Sequence, residues 1–147
     1  MTYDTFIGVD PGANGALAIV YREFEDASFH STKEPLKLWF TFAGNAFGLI
    51  ERVHAMPNQG VTSMFSFGEN YGMLQAMLQD CLGDHWDYVT PQTWQKHFKL
   101  IKHKGETKTQ KKNRHKALAQ RLFPDIKVTH QNADALLIAS YCREIHS

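Results

Sequence analysis

Residues 3–21 read YDTFIGVDPGANGALAIVY, two apolar runs around a cluster of turn-forming residues. Residues 3–9 have the aromatic and β-branched content of a strand, and residues 16–21 have it again. Between them, Asp10-Pro11-Gly12-Ala13-Asn14-Gly15 is a turn, and a hairpin is the simplest way to join the two runs. A third short strand at 28–32 extends the pair into an antiparallel meander. Pro35 then introduces a short helix at 36–43. A fourth strand at 47–54 places Phe47, Leu49, Glu51 and Val53 on one face and Gly48, Ile50, Arg52 and His54 on the other.

After a turn at 57–60, Val61, Met64, Phe65, Gly68, Tyr71, Leu74, Leu78, Cys81 and Leu82 recur at spacings of three and four, which predicts a long helix. Met73 and Met77 add a second stripe. Such a helix fits either the centre of a core or a position between the core and a partner subunit. A fifth strand follows at 86–90, and Pro91 starts a further helix. Residues 105–109 read as a polar loop, and two helices at 110–122 and 132–145 are separated at Pro124. Hairpin-linked strands followed by alternating strands and helices give an α/β fold with a mixed five-stranded sheet flanked by helices, in one domain over residues 1–147.

No run approaches the roughly 18 apolar residues of a membrane span. The opening MTYDTFIGVD lacks the basic region of a signal peptide. The two cysteines, Cys81 and Cys142, are far apart and form no CxxC pair, which argues for a reducing compartment and against a thiolate metal site. A cytoplasmic protein is expected.

The formal net charge of +1 conceals a division along the chain. Residues 96–121 hold ten Lys and Arg against the single acid Glu106, whereas residues 1–95 hold four basic and eleven acidic side chains. A segment of net +9 is the electrostatic footprint of a polyanion partner, although a solvated basic helix and loop would read the same way.

Three carboxylates stand out. Asp10 ends the first strand at the mouth of the Gly-rich turn, where an aspartate beside proline is also ordinary turn chemistry. Glu51 lies on the apolar face of a strand, and burying a lone carboxylate there is costly unless a cation or a donor compensates. Asp134 falls in the first turn of the last helix, within HQNADALLIA at 130–139, where a helix N-terminus favours acids in any case. His130, four residues earlier, projects from the same side, as a surface histidine or as a ligand. Together, a strand end, a strand face and a helix start could converge at one edge of the sheet. An oxygen-rich set of this kind suits Mg²⁺ or Mn²⁺, and two such ions ~4 Å apart could serve phosphodiester hydrolysis.

These residues also carry a family likeness. FIGVDPGANGALAIV, LIERVHAMPNQGVTSMFSFGENYG, VTPQTWQKHF, KALAQRLFP and ADALLIASY resemble, in order, the motifs of the RuvC-type Holliday junction resolvases in the compact form common in phage genomes. The resemblance implies a ribonuclease H-like fold, Mg²⁺- or Mn²⁺-dependent cutting of four-way and other branched DNA, two metal ions per site and a homodimer. It assigns metal-binding, catalytic roles to Asp10, Glu51 and Asp134. The family's fourth ligand, an acid or histidine just before the last aspartate, is replaced by glutamine at 131, so the role passes to His130. His54, three residues after the glutamate, takes the position of a side chain near the junction centre, where it could stack on a base or simply face outward. Lys112 and Arg114 match basic positions of the family. With Lys96, Lys99, Lys108 and Lys111 they are the candidate DNA contacts. Three alternatives share parts of the pattern: a YqgF-like nuclease acting on RNA, an actin-like ATPase, and a non-catalytic junction-binding protein.

Overall fold

The computed structural model of the chain describes residues 2–39, 45–54 and 59–147. Its elements run β1 (Thr5–Asp10), β2 (Ala16–Tyr21), β3 (Ala27–Ser31), a 3-10 turn at Pro35–Leu38, β4 (Ala46–Glu51), α1 (Val61–Leu82), β5 (Trp86–Val89), α2 (Pro91–His97), α3 (Lys108–Leu122) and α4 (Ala133–Ile145). The sheet order is β3-β2-β1-β4-β5. β1, β2 and β3 form the expected antiparallel meander, and β4 and β5 add to β1 in parallel, so the sheet is mixed and the fold is α/β.

The alternation along β1 divides the core. Ile7 and Val9 point to one face, where they pack with Leu17, Ile19 and Ile50 against Leu74, Met77, Leu78 and Leu82 of α1. Phe6 points to the other, with Ala16, Ala18 and Leu49, against α4, Trp94 of α2 and Ala119 of α3. Each large side chain removed from water in this way contributes about 1.5–3 kcal/mol. α4 is buried almost all round and lies directly over β1 at Gly8, where an added Cβ would stand 2.3 Å from the Ala135 carbonyl oxygen and 2.3 Å from the Ala139 nitrogen. Only glycine lets this helix approach so closely.

Three elements differ in extent from the sequence expectation. β4 ends at Glu51 and does not run to His54, because the Arg52 N–H makes a last bond to the Val89 carbonyl at 2.8 Å and β5 itself stops there. α3 starts two residues early, at Lys108, because Thr107 and Gln110 form a capping box: the Thr107 hydroxyl accepts the Gln110 N–H at 3.1 Å and the Gln110 side chain accepts the Thr107 N–H at 2.9 Å. The helix expected at 36–43 is the 3-10 turn Pro35–Leu38. Its residues 40–43 lie outside the described residues, as do 57 and 58 of the turn expected at 57–60. Met77, expected on a second apolar stripe, is fully buried in the chain's own core. The large apolar residues of α1 left exposed are in its N-terminal half, Val61 at 87% and Phe65 at 69%. Among the described residues no helix is long and apolar enough to cross a membrane.

Candidate active site

β1 and β4 are parallel neighbours with Val9 opposite Ile50, so Asp10 and Glu51, each one residue further on, stand side by side at the carboxyl ends of the two strands. Their parity is that of Phe6 and Leu49, which carries both onto the face covered by α4. Asp134 is the second residue of α4. The helix starts where it does because Thr129 and Asn132 hold each other: the Asn132 side-chain oxygen accepts the Thr129 N–H at 2.8 Å, and the Thr129 hydroxyl accepts the Asn132 N–H at 3.3 Å. Three carboxylates distant in sequence thus meet at one edge of the sheet, the position at which open α/β sheets bind ligands.

Each carboxylate is held by a donor. Asp10 Oδ1 accepts the Gly12 N–H at 3.1 Å. Glu51 Oε2 accepts the indole N–H of Trp94 at 2.7 Å. Asp134 Oδ1 lies 2.8 Å from Nδ1 of His115. Burial and the Asp134 charge push the Asp10 carboxyl up to about 6, against the Gly12 N–H and the Lys112 charge. Burial pushes Glu51 up to about 7; the Trp94 bond opposes this, the charges of Asp10 and Asp134 add to it, and Lys111 opposes it. Two acids that resist ionisation beside a third mark a candidate functional site.

An open cleft of about 600 Å³ lies over this edge, lined by Asp10, Asp134, the Gly12–Gly15 turn, Lys33, Lys112, His130 and Gln131. His130 is exposed, and its Nε2 bonds the Asn113 side-chain oxygen at 2.9 Å. His130 and Gln131 therefore share the cleft wall, and the histidine is anchored to α3. Lys112 is exposed on that wall, while Lys111 is half-buried and acts on Glu51.

The donor set fits a hard divalent cation: carboxylate oxygens, too dry to ionise together without a compensating charge. As the side chains stand, no three His, Cys, Asp or Glu groups among the described residues converge on one point closely enough to enclose an ion. Each carboxylate instead turns to its own protein donor.

No known family model and no curated protein matches this chain. The functional reading therefore rests on the residues themselves.

The remaining candidates lie elsewhere. His54 is exposed just beyond β4, beside a separate apolar pocket of about 220 Å³ lined by Val53, Met64, Phe67 and Pro91. Lys96 and Lys99 are exposed at the end of α2, and Lys108 at the start of α3; none of them lines the cleft. Arg114, another candidate DNA contact, is engaged within the fold. Its guanidinium bonds both oxygens of Glu106, at 2.5 and 2.8 Å, and the carbonyls of Leu100 and Ile101, so it clamps the loop before α3.

Three residues of the site escaped sequence reading. Lys33 follows β3 and lines the cleft together with Lys112. Trp94 and His115 hold Glu51 and Asp134 from behind. His115 could have been found: with Leu118, Ala119 and Leu122 it falls on the apolar stripe of an otherwise basic helix. Trp94 carried a subtler signal, an aromatic that needs a partner for its N–H once buried.

Proposed function

We propose that the chain is a metal-dependent endonuclease of branched DNA, built on a ribonuclease H-like fold and similar in function to the RuvC-type resolvases. The observation that carries this reading is the placement of Asp10, Glu51 and Asp134 at one edge of the sheet, beside a cleft lined by Asp10, Asp134, Lys33 and Lys112. Acids beside basic side chains are what a phosphodiester with a bound cation requires.

Asp10, Glu51 and Asp134 would hold Mg²⁺ or Mn²⁺, with His130 or Gln131 at the rim. When bound, two such ions align an attacking water and neutralise charge on the leaving oxygen. The chain's own residues do the rest. Lys33 and Lys112 draw the phosphate backbone into the cleft and fix its position without reading sequence. With Nε2 of His130 donating to Asn113, Nδ1 keeps the lone pair needed to accept a proton or a metal. The exposed Val61 and Phe65 of α1 offer a surface for a second copy, and a two-fold dimer would present two such sites to the opposed strands of a four-way junction.

The test is a synthetic four-way junction with end-labelled strands, incubated with and without Mg²⁺ or Mn²⁺. Paired, symmetric, metal-dependent cuts support the reading. Cleavage of structured RNA in preference to the junction would move the chain to RNA processing, and metal-independent binding without cutting would leave a junction-binding protein.

A further inference from the structure

Behind the acidic edge, Trp94 and His115 are buried together. Trp94 is fully buried and His115 is 5% exposed; their rings meet edge to face with centroids 5.5 Å apart. Each sends one ring nitrogen to a different carboxylate: Trp94 Nε1 to Glu51 Oε2 at 2.7 Å, His115 Nδ1 to Asp134 Oδ1 at 2.8 Å. The two bonds come from different helices, α2 and α3, and end on groups from β4 and α4. One aromatic contact therefore connects the supports of two carboxylates that lie far apart in sequence.

The histidine is retained at a cost to stability. Its second nitrogen, Nε2, is buried with no hydrogen-bond partner among the described residues. A leucine or phenylalanine in the same apolar stripe would leave no orphaned polar atom there. With Asp134 ionised and able only to accept, Nδ1 carries the hydrogen and Nε2 is left as a bare acceptor in an apolar setting. An imidazole kept under these terms is explained by what Nδ1 does at Asp134. The arrangement is the one in which an outer donor fixes the direction of a ligating oxygen.

We propose that Trp94 and His115 form a single positioning pair that orients the carboxylates of Glu51 and Asp134 toward a shared divalent cation. The inference rests on the reading of Asp10, Glu51 and Asp134 as a cation site and adds the groups that set its geometry. Neither residue of the pair touches substrate. Each acts through the carboxylate it holds, tying back one oxygen and leaving the other without a protein donor among the described residues.

The test exploits the shape of the imidazole. In asparagine the side-chain nitrogen stands about where Nδ1 does, and in glutamine about where Nε2 does. His115→Asn should therefore keep the bond to Asp134, and His115→Gln should lose it, although both are neutral amides. Trp94→Phe keeps a buried ring and removes the donor to Glu51. Mn²⁺ is titrated calorimetrically into the full chain in each variant, with melting temperature and junction affinity in EDTA recorded alongside. Wild type and His115→Asn should bind Mn²⁺ alike, while His115→Gln and Trp94→Phe bind roughly 10–100-fold more weakly. Junction affinity in EDTA should not change.

Equal Mn²⁺ affinity in wild type, His115→Gln and Trp94→Phe would overturn the positioning role and leave the cation site standing. No Mn²⁺ binding by wild type would overturn both. Equal loss in His115→Asn and His115→Gln would show that the ring's shape matters and its Nδ1 donor does not, which also overturns the proposal. Should Trp94→Phe fail to fold, the asparagine–glutamine contrast decides alone.

Discussion

Replacing Asp10 with asparagine should stabilise the metal-free protein at neutral and alkaline pH. The folded chain holds the Asp10 carboxyl at about 6 against 3.8 for the free group, chiefly because burial disfavours its charge. A carboxyl raised in the folded state binds its proton more tightly there than in the unfolded chain. Its contribution to stability is therefore fully present below about pH 4, declines as pH rises through 6, and is absent above it. At ~1.36 kcal/mol per pH unit the full shift corresponds to ~3 kcal/mol, and partial access of water from the cleft reduces this to about 2 kcal/mol. Asparagine is neutral throughout and can keep the Gly12 N–H bond through its side-chain oxygen. For a chain of this size, about 2 kcal/mol is a rise in Tm of roughly 4–8 °C. The assay is thermal melting followed by circular dichroism in EDTA, for wild type and Asp10→Asn, from pH 4.5 to 8.5. The two curves should converge toward the acid end, separate as pH rises to about 6 and stay apart above it, and added Mg²⁺ should raise the wild type alone. A variant that melts at or below wild type at pH 8 would refute the claim that the site strains the metal-free fold.

Asp10→Asn, Glu51→Gln and Asp134→Asn should each lower junction cleavage at pH 8 by roughly 10²–10³-fold or more, with binding in EDTA retained; gel assays of both steps check this. Lys112→Ala and Lys33→Ala should weaken junction binding and each reduce the salt slope by about one, measured by titration at several ionic strengths. Arg114→Ala should leave that slope unchanged and instead lower Tm, because its guanidinium bonds Glu106 and two backbone carbonyls. Gly8→Ala should destabilise by about 3 kcal/mol or more in urea melts, since the methyl group would overlap the backbone of α4 at Ala135 and Ala139.

The parts of the fold that follow from periodicity were legible in the sequence. Alternation placed Glu51 on the face of Leu49, and that face is the one on which α4 lies. Turn chemistry placed Asp10 at a strand end. What local reading did not record depended on partners far along the chain. β4 stops at Glu51 because β5 stops at Val89, which no local pattern near His54 records. Arg114 looked like its lysine neighbours, and only the folding of Leu100, Ile101 and Glu106 beneath it gives it a different task. His130 drew attention through its spacing from Asp134, but the imidazole that bonds Asp134 comes from another helix, at His115. The start of α3 is the exception. Thr107 and Gln110 form a local signal, spaced for a capping box, within a segment that otherwise reads as polar loop.

The charge division of the sequence acquires a structural meaning once α3 is placed. Asp10 and Glu51 come from the acidic part of the chain, Lys111 and Lys112 from the basic segment, and the fold brings them within electrostatic reach at a single edge. Lys111 and Lys112 lower the carboxyls they face, but burial and mutual repulsion still dominate, so Asp10 and Glu51 remain raised. Fixed lysines strong enough to cancel that repulsion would compete with the cation we propose there. Lysines that cancel it only in part leave net negative charge among the carboxylates while keeping positive charge at the cleft, and the proposed function needs both, one for a cation and one for a phosphate. A Lys111→Glu, Lys112→Glu double variant therefore separates the two demands: it should still bind Mn²⁺, more tightly than wild type in calorimetry, while losing junction affinity. Loss of Mn²⁺ binding along with junction affinity would show that α3 builds the site and is more than the source of its field.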